Sequence, residues 1–305
     1  MKFKKTYAWF PFKFTRNSEF LNSLFLSSLV LMMIGIIFDM DGVIYRGKEP
    51  IEGAKEVIEF LKANGIPFVF LTNNSTRNAR MYKEKLQKMG IEVKEEQIVT
   101  SGYATARYLA KNFEKGNVFV IGGEGLVEEI KSIGWPVISV EDAKERWREI
   151  KYVVVGLDPK LTYEKLKYGC LAIRNGALFI GTNPDTTYPS EEGILPGAGS
   201  IIAALKAATE KEPLIIGKPN KPVFEVVKEK LNADEIWVVG DRLDTDIEFA
   251  KRINAKAIMV LTGVNTLEDI EKSKAKPDVV MPSIKELIKY LEVYLEQQNH
   301  RNKEH

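Results

Sequence analysis

The stretch "IIFDMDGVIYRG", Ile36 to Gly47, carries an apolar run into two aspartates, Asp39 and Asp41, with Gly42 directly after them. Carboxylates avoid the protein interior unless a partner compensates them. A strand-like segment that ends on two of them is therefore either a turn or the edge of a site. Asp and Gly are ordinary turn residues, and the stretch alone leaves both readings open. The rest of the chain has to decide between them.

From Met33 onward strands and helices alternate. "IGIIF" and "IPFVFL" are short apolar runs with β-branched and aromatic residues, which predicts buried strands. "GAKEVIEFLKANG" and "NARMYKEKLQKMG" carry apolar residues at helical spacing and end in glycine, a helix stop. In the C-terminal third "PLIIG", "EIWVVG" and "KAIMVL" read as strands, and "KPVFEVVKEKLN", "DTDIEFAKRIN" and "SIKELIKYLEVYLEQQ" as helices. This rhythm predicts an α/β fold whose parallel sheet is buried on both faces. Residues 113–191 use the same alphabet in another layout. "NVFVIGG", "PVISV", "KYVVVGL" and "ALFIG" read as strands there, and "GTNPDTTYPSEEGILPGAGS" as a long closing loop. A second α/β unit inserted into the first accounts for this. The expected organisation is a core of residues 33–112 and 192–297, an inserted unit of residues 113–191 and a polar tail of residues 298–305.

Residues 1–32 stand apart. A basic and aromatic start, "MKFKKTYAWFPFKF", leads into the apolar "LNSLFLSSLVLMM", a pattern that resembles a signal or anchor segment. No small-residue cleavage site follows. An anchor of about 20 residues would also consume Ile34 to Phe38, which the core needs as a strand. The preferred reading is an upstream extension with Met33 as the functional start. An anchor and an interfacial helix are the alternatives.

Composition narrows the chemistry. Apolar residues make up 45% of the 305, enough for a sizeable core. The net charge is only +2 although 28% of residues are charged, which argues against a dedicated nucleic-acid binder. The single cysteine, Cys170, excludes an internal disulfide and a cysteine metal cluster. The only histidines, His300 and His305, lie in the polar tail, so neither histidine catalysis nor a histidine zinc site is expected. The chemistry must run on carboxylates, lysine, hydroxyls and backbone.

Ligands of open α/β sheets bind at the carboxyl ends of the strands. After "IGIIF" stand Asp39 and Asp41; after "IPFVFL" stand Thr72, Asn73 and Asn74; after "PLIIG" stands Lys218; after "EIWVVG" stands Asp241, with Asp244 and Asp246 close behind. Four strand ends bearing these groups make one convergent site. Aspartates suit a hard divalent cation such as Mg²⁺, with Asp39 and Asp241 as side-chain ligands. The Thr72 hydroxyl, the Asn73 amide and the Lys218 ammonium can donate to phosphate oxygens. If Asp39 attacked a phosphate dianion at about 3 Å, the two would repel by about 10 kcal/mol at an effective dielectric of 20. A divalent cation touching both groups, together with Lys218, reverses that sign. Asp39 can then act as a nucleophile, and Asp41, two residues on, can protonate the leaving oxygen and later activate water.

"DMDGV", "LTNN", "GKP" and "GDRLDTDI" stand in the order of the four motifs of the haloacid-dehalogenase superfamily of phosphatases, and the chain resembles that family over nearly all of residues 33–291. The likeness is greatest to its NagD, p-nitrophenylphosphatase and pyridoxal-phosphate phosphatase branch, in which a cap lies between the second and third motifs. The resemblance implies a Rossmann-like core with a C2-type cap, and Mg²⁺ as cofactor. It implies Asp39 as the phosphorylated nucleophile and metal ligand, and Asp41 as acid/base and backbone ligand. It further implies Thr72, Asn73, Asn74 and Lys218 on the phosphate side, Asp241 on the metal and Asp246 supporting the metal's outer shell. Asp244 matches no fixed role and reads as a helix N-terminal charge. Within the cap, "TNPDTTYPS" is the candidate substrate-facing edge. Tyr188 stands where pyridoxal-phosphate phosphatases carry a histidine, a departure that counts against that substrate.

The implied activity is hydrolysis of small phosphate esters, p-nitrophenyl phosphate included, in the cytoplasm. No nucleic acid is expected as a partner and no membrane, and the resemblance suggests a homodimer. A non-hydrolytic phospho-acceptor switch and a phosphomutase are the alternatives on the same site chemistry.

Overall fold

Ile34 to Phe38 is buried at every residue, and its side chains alternate between two apolar layers. Ile34, Ile36 and Phe38 join one cluster, and Ile37 joins another. That is the period of two expected of a strand with both faces covered. The computed structural model describes residues 33–190 and 192–301. The readings of residues 1–32 and of residues 302–305 lie outside the described residues.

In chain order the strands are β1 (Ile34–Phe38), β2 (Tyr45–Arg46), β3 (Glu49–Pro50), β4 (Phe68–Thr72), β5 (Ile98–Thr100), β6 (Val118–Ile121), β7 (Val137–Ile138), β8 (Tyr152–Val155), β9 (Leu178–Gly181), β10 (Thr187–Ser190), β11 (Gly193–Pro196), β12 (Leu214–Ile215), β13 (Glu235–Gly240), β14 (Lys256–Val260) and β15 (Val279–Met281). The core is a six-stranded sheet in the order β15-β14-β13-β1-β4-β5, parallel throughout. The chain runs outward from β1 through β4 to β5, then returns on the other side of β1 as β13. The strand order therefore reverses between β1 and β13, which is where such sheets open a crevice for a ligand.

Residues between the two halves of the core form a second parallel sheet, in the order β12-β9-β8-β6-β7. Here the structure corrects the expected boundary at residue 191. The "PLIIG" segment was read as a core strand, but its strand β12 pairs with β9 in the inserted sheet. The reason lies in the preceding helix, Ala198–Thr209, which buries Ile201, Ile202 and Leu205 against Phe119, Ile121 and Val153 of that sheet. A helix on that face returns the chain beside β9 as a crossover of the common kind. The loop read as irregular also contains structure, since β10 and β11 form an antiparallel hairpin inside it. Pro189 and Pro196 obscured its strand pattern. At the C-terminus, helix Leu287–Arg301 continues past residue 298, where the tail was expected to begin.

The helices follow the sequence rhythm. Helix Ala54–Ala63 buries Ala54, Val57, Ile58 and Leu61, an i, i+3, i+4, i+7 stripe. One apolar cluster joins the two sheets. It contains Ile37, Val69 and Val238 of the core and Val118, Val154 and Ile180 of the inserted sheet. None of the described helices is long and apolar enough to cross a membrane.

Candidate active site

Asp39 follows β1 and Asp241 follows β13, so the strand reversal sets two carboxylates side by side. Met40 points into the core cluster with no exposure. Its neighbours Asp39 and Asp41 are thereby turned the other way, toward the crevice. Gly42 closes the turn with a left-handed φ of +87°. A Cβ there would also lie 2.6 Å from Asp241 Oδ2, so this glycine lets the two strand ends touch. Asp241 Oδ2 accepts a hydrogen bond from the Val264 N–H at 2.7 Å.

Lys218 is the hub. Its ammonium is 2% exposed, and Nζ donates to Asp39 Oδ1 at 2.6 Å, Asp246 Oδ1 at 2.7 Å and the Leu71 carbonyl at 2.9 Å. Burial by itself would push the Lys218 pKa down, but Asp246 and Asp39 outweigh it and hold the group above its ordinary value. All three donors are used, as a buried ammonium requires. Asp246 uses its other oxygen, Oδ2, to accept from the Arg242 N–H at 3.2 Å.

Asp39, Asp241 and Asp246 each offer an oxygen within 4.8 Å of the others. One lysine cannot balance three carboxylates. Burial, then the negative neighbours, raise Asp39 well above the usual carboxylate range despite Lys218. Burial and Asp246 likewise push Asp241 up to about 7. Among the described residues, two buried side-chain oxygens lack any partner, Asn73 Oδ1 and Asp241 Oδ1, and the second belongs to this group. An unpaired buried carboxylate oxygen costs more than about 1–3 kcal/mol. A hard cation held by oxygens removes that cost, so the residues fit a divalent metal.

The other expected residues are distributed unevenly. Thr72 is buried at the end of β4, where its Oγ1 accepts from the Asn74 N–H at 3.2 Å. Asn73 departs from its expected role. Its amide Nδ2 donates to Lys218 O at 3.0 Å and to both Asp185 oxygens, at 3.1 and 3.2 Å. Asn74 is exposed, and its side chain accepts from the N–H and hydroxyl of Thr76 in a local turn. Asp41 is exposed on the rim, with its pKa raised by burial of its surroundings against the pull of Lys85. Asp244 pairs with Arg242 at 2.9 and 3.1 Å. Tyr188 sits half-buried on β10 opposite Leu195, and no hydrogen bond joins it to the group.

Two neighbours escaped the sequence reading. Lys85 of helix Ala79–Lys88 lies 3.3 Å from the centre of the Tyr45 ring, and burial lowers its pKa to about 8. Asp185, held up by burial, reaches Asn73 from the inserted unit. Its loop was singled out in the sequence, but nothing local marked this one residue.

Comparison with known proteins agrees with this geometry. A family profile described as haloacid dehalogenase-like hydrolase matches residues 36–136, and a second HAD-hydrolase-like profile matches residues 215–287. An acid sugar phosphatase of Staphylococcus aureus is 39% identical over 258 residues, covering 84% of this chain and 97% of the relative. A hypothetical protein of Pyrococcus horikoshii OT3 has 64% identity and a TM-score of 0.84, over 85% of this chain and all of that one. A 4-nitrophenylphosphatase of Thermotoga maritima has 40% identity and a TM-score of 0.78, over 84% and 97% of the two chains. A glycerol phosphate phosphatase of Mycobacterium tuberculosis, solved with magnesium, has 33% identity and a TM-score of 0.75, over 83% and 75%. With motifs from three core strand ends and from the loop after β12 of the inserted sheet brought together, the chain belongs to the haloacid dehalogenase-like hydrolases and is an enzyme of their phosphatase type.

Proposed function

We propose that the protein is a Mg²⁺-dependent phosphomonoester hydrolase that works through an aspartyl-phosphate on Asp39. The observation that carries this reading is the Lys218 hub. It holds a nucleophile candidate, Asp39, beside Asp241, whose buried Oδ1 has no partner.

An Asp39 oxygen attacks phosphorus, and the bond from phosphorus to the ester oxygen breaks. Asp41, its pKa raised, gives that leaving oxygen its proton. Asp41 then takes a proton from water, which attacks the same phosphorus and restores the Asp39 carboxylate as inorganic phosphate leaves. The Thr72 hydroxyl donates to a transferring oxygen, while Lys218, its three donors taken by Asp39, Asp246 and the Leu71 carbonyl, fixes the direction of Asp39 and sets a positive charge beside the phosphoryl group. Asp39, Asp241 and the Asp41 carbonyl are the groups that would hold magnesium, with Asp246 bracing them through Lys218. Bound there, the ion supplies the positive charge that offsets repulsion between the carboxylate and a phosphate dianion.

The substrates we infer are small phosphorylated metabolites, sugar phosphates among them, and p-nitrophenyl phosphate. The names of the relatives support that class. The small net charge of +2 supports an enzyme with no nucleic-acid partner, and a cytoplasmic location and a homodimer rest on family resemblance alone. The test is phosphate release from p-nitrophenyl phosphate and a metabolite panel, with Mg²⁺ and with EDTA. Many turnovers per chain are expected only with Mg²⁺, and this also separates an enzyme from a phospho-acceptor switch. Asp39→Asn should lower kcat by roughly 10⁴-fold or more with the fold intact. Full activity in that variant would sink the mechanism.

A further inference from the structure

The loop after β9 reaches from the inserted unit into the phosphate side of the core. Asn183 Nδ2 donates to the Asn73 carbonyl at 2.6 Å, and Ser101 Oγ donates to the same oxygen at 2.5 Å. Asp185 receives the Asn73 amide on both carboxylate oxygens, at 3.1 and 3.2 Å. The same amide also donates to the Lys218 carbonyl at 3.0 Å. One side chain thus ties three segments together: the loop after β4, the loop after β12 and the loop after β9.

Asp185 is itself held firmly. Its N–H donates to Asn183 Oδ1 at 3.1 Å, and its carbonyl accepts from the Gly199 N–H at 2.8 Å. The start of helix Ala198–Thr209 is packed against this loop. A Cβ on Gly197 would lie 2.3 Å from the Asp185 carbonyl oxygen, and one on Gly199 would lie 2.2 Å from that of Pro184. The two acceptors on the Asn73 amide also fix its orientation, because a flipped amide would set its oxygen against the Lys218 carbonyl and the Asp185 carboxylate.

We propose that Asp185, a residue of the inserted unit, is a positioning residue of the phosphate site. It acts through the Asn73 side chain on the Thr72 loop and on Lys218. The inference rests on the phosphatase reading and adds to it a role for the inserted unit in building the site. Asp185 itself need touch neither substrate nor metal. Without it the Asn73 amide keeps only the Lys218 carbonyl, and the bond that joins the two loops facing the transferring phosphoryl group loses the carboxylate that holds it from the inserted unit. Displacements well below 1 Å in such a group are costly to catalysis.

The experiment uses the full chain with Mg²⁺. Inorganic phosphate binding is followed by calorimetry, and kcat and KM are measured on p-nitrophenyl phosphate. Asp185→Ala should weaken phosphate binding and lower kcat/KM, each by about tenfold. Asp185→Asn keeps an acceptor oxygen for the Asn73 amide and should lose only about threefold. In an Asn73→Ala background, Asp185→Ala should change either quantity by less than about twofold, because the group it acts through is gone. A full tenfold loss in both backgrounds overturns the proposal. So does a lowered melting temperature with phosphate binding and kcat/KM unchanged. If Asp185→Ala does not fold, Asp185→Asn in the two backgrounds decides on the same criterion. A wild-type chain that neither binds nor releases phosphate overturns the phosphatase reading, whereas active wild type with uncoupled variants overturns this inference alone.

Discussion

Asp241 concentrates the electrostatic argument in one residue. Its carboxyl is pushed up to about 7 by burial and by Asp246, against 3.8 as the ordinary value. Between those pH values the folded chain holds a proton that the unfolded chain has released. Stability from this group is therefore fully present below about pH 4 and is lost as pH rises through about 7. A metal that takes the Asp241 oxygens has to displace the same proton. Saturating Mg²⁺ should raise the melting temperature by about 5 °C at pH 8 and by less than about half of that at pH 5.5. Scanning calorimetry at the two pH values checks this, and Asp241→Asn should abolish the shift. An equal shift at both values would count against Asp241 as a ligand. At this scale the sequence marks Asp39 and Asp241, each directly behind an apolar core strand, whereas Lys218 comes three residues after β12 of the inserted sheet. The sequence was not legible for Asn73. The residue type allowed a phosphate donor, and only the neighbours show that its amide is spent on Asp185 and Lys218.

At the scale of elements, the end of β13 shows how tightly a strand end can be drawn. A Cβ on Gly240 would lie 2.1 Å from the Asp246 Cβ. The following residues, Leu243–Ile247, form a π-helical turn before helix Glu248–Arg252. That wide turn brings Asp246 back against its own strand and onto Lys218. The sequence predicts a plain helix over this segment, because π geometry leaves no periodic signature in five residues. Gly240→Ala should cost about 3 kcal/mol in chemical denaturation and should lower kcat through Asp246 and Lys218. A variant with native stability and turnover would show that the turn relaxes freely. The edge strand β12 makes a related point. Two residues, Leu214 and Ile215, carry too little pattern to say which sheet they join, and the burial of Ile201, Ile202 and Leu205 on the inserted sheet settles it.

At the scale of the whole molecule, the inserted unit is not an appendage with a separate interior. Ile37, Val69 and Val238 share one apolar cluster with Val118, Val154 and Ile180. Continuous packing of this kind couples the two sheets, so one cooperative unfolding transition is expected. Ile180→Ala, in the inserted sheet, should shift that single transition by about 3 kcal/mol. Two separable transitions, with only one displaced, would contradict the shared interior. By itself the sequence determined the α/β class, the insertion and the polar residues that follow the strands. Those features are local, resting on the period of a strand, the period of a helix and the residue just beyond a strand. Only the tertiary structure decided where the inserted sheet ends, which carboxylates share Lys218 and that Asp185 reaches Asn73. The last contact joins residues 112 positions apart, and a pairing of that range is chosen by the packing of everything between, which no short stretch of sequence encodes.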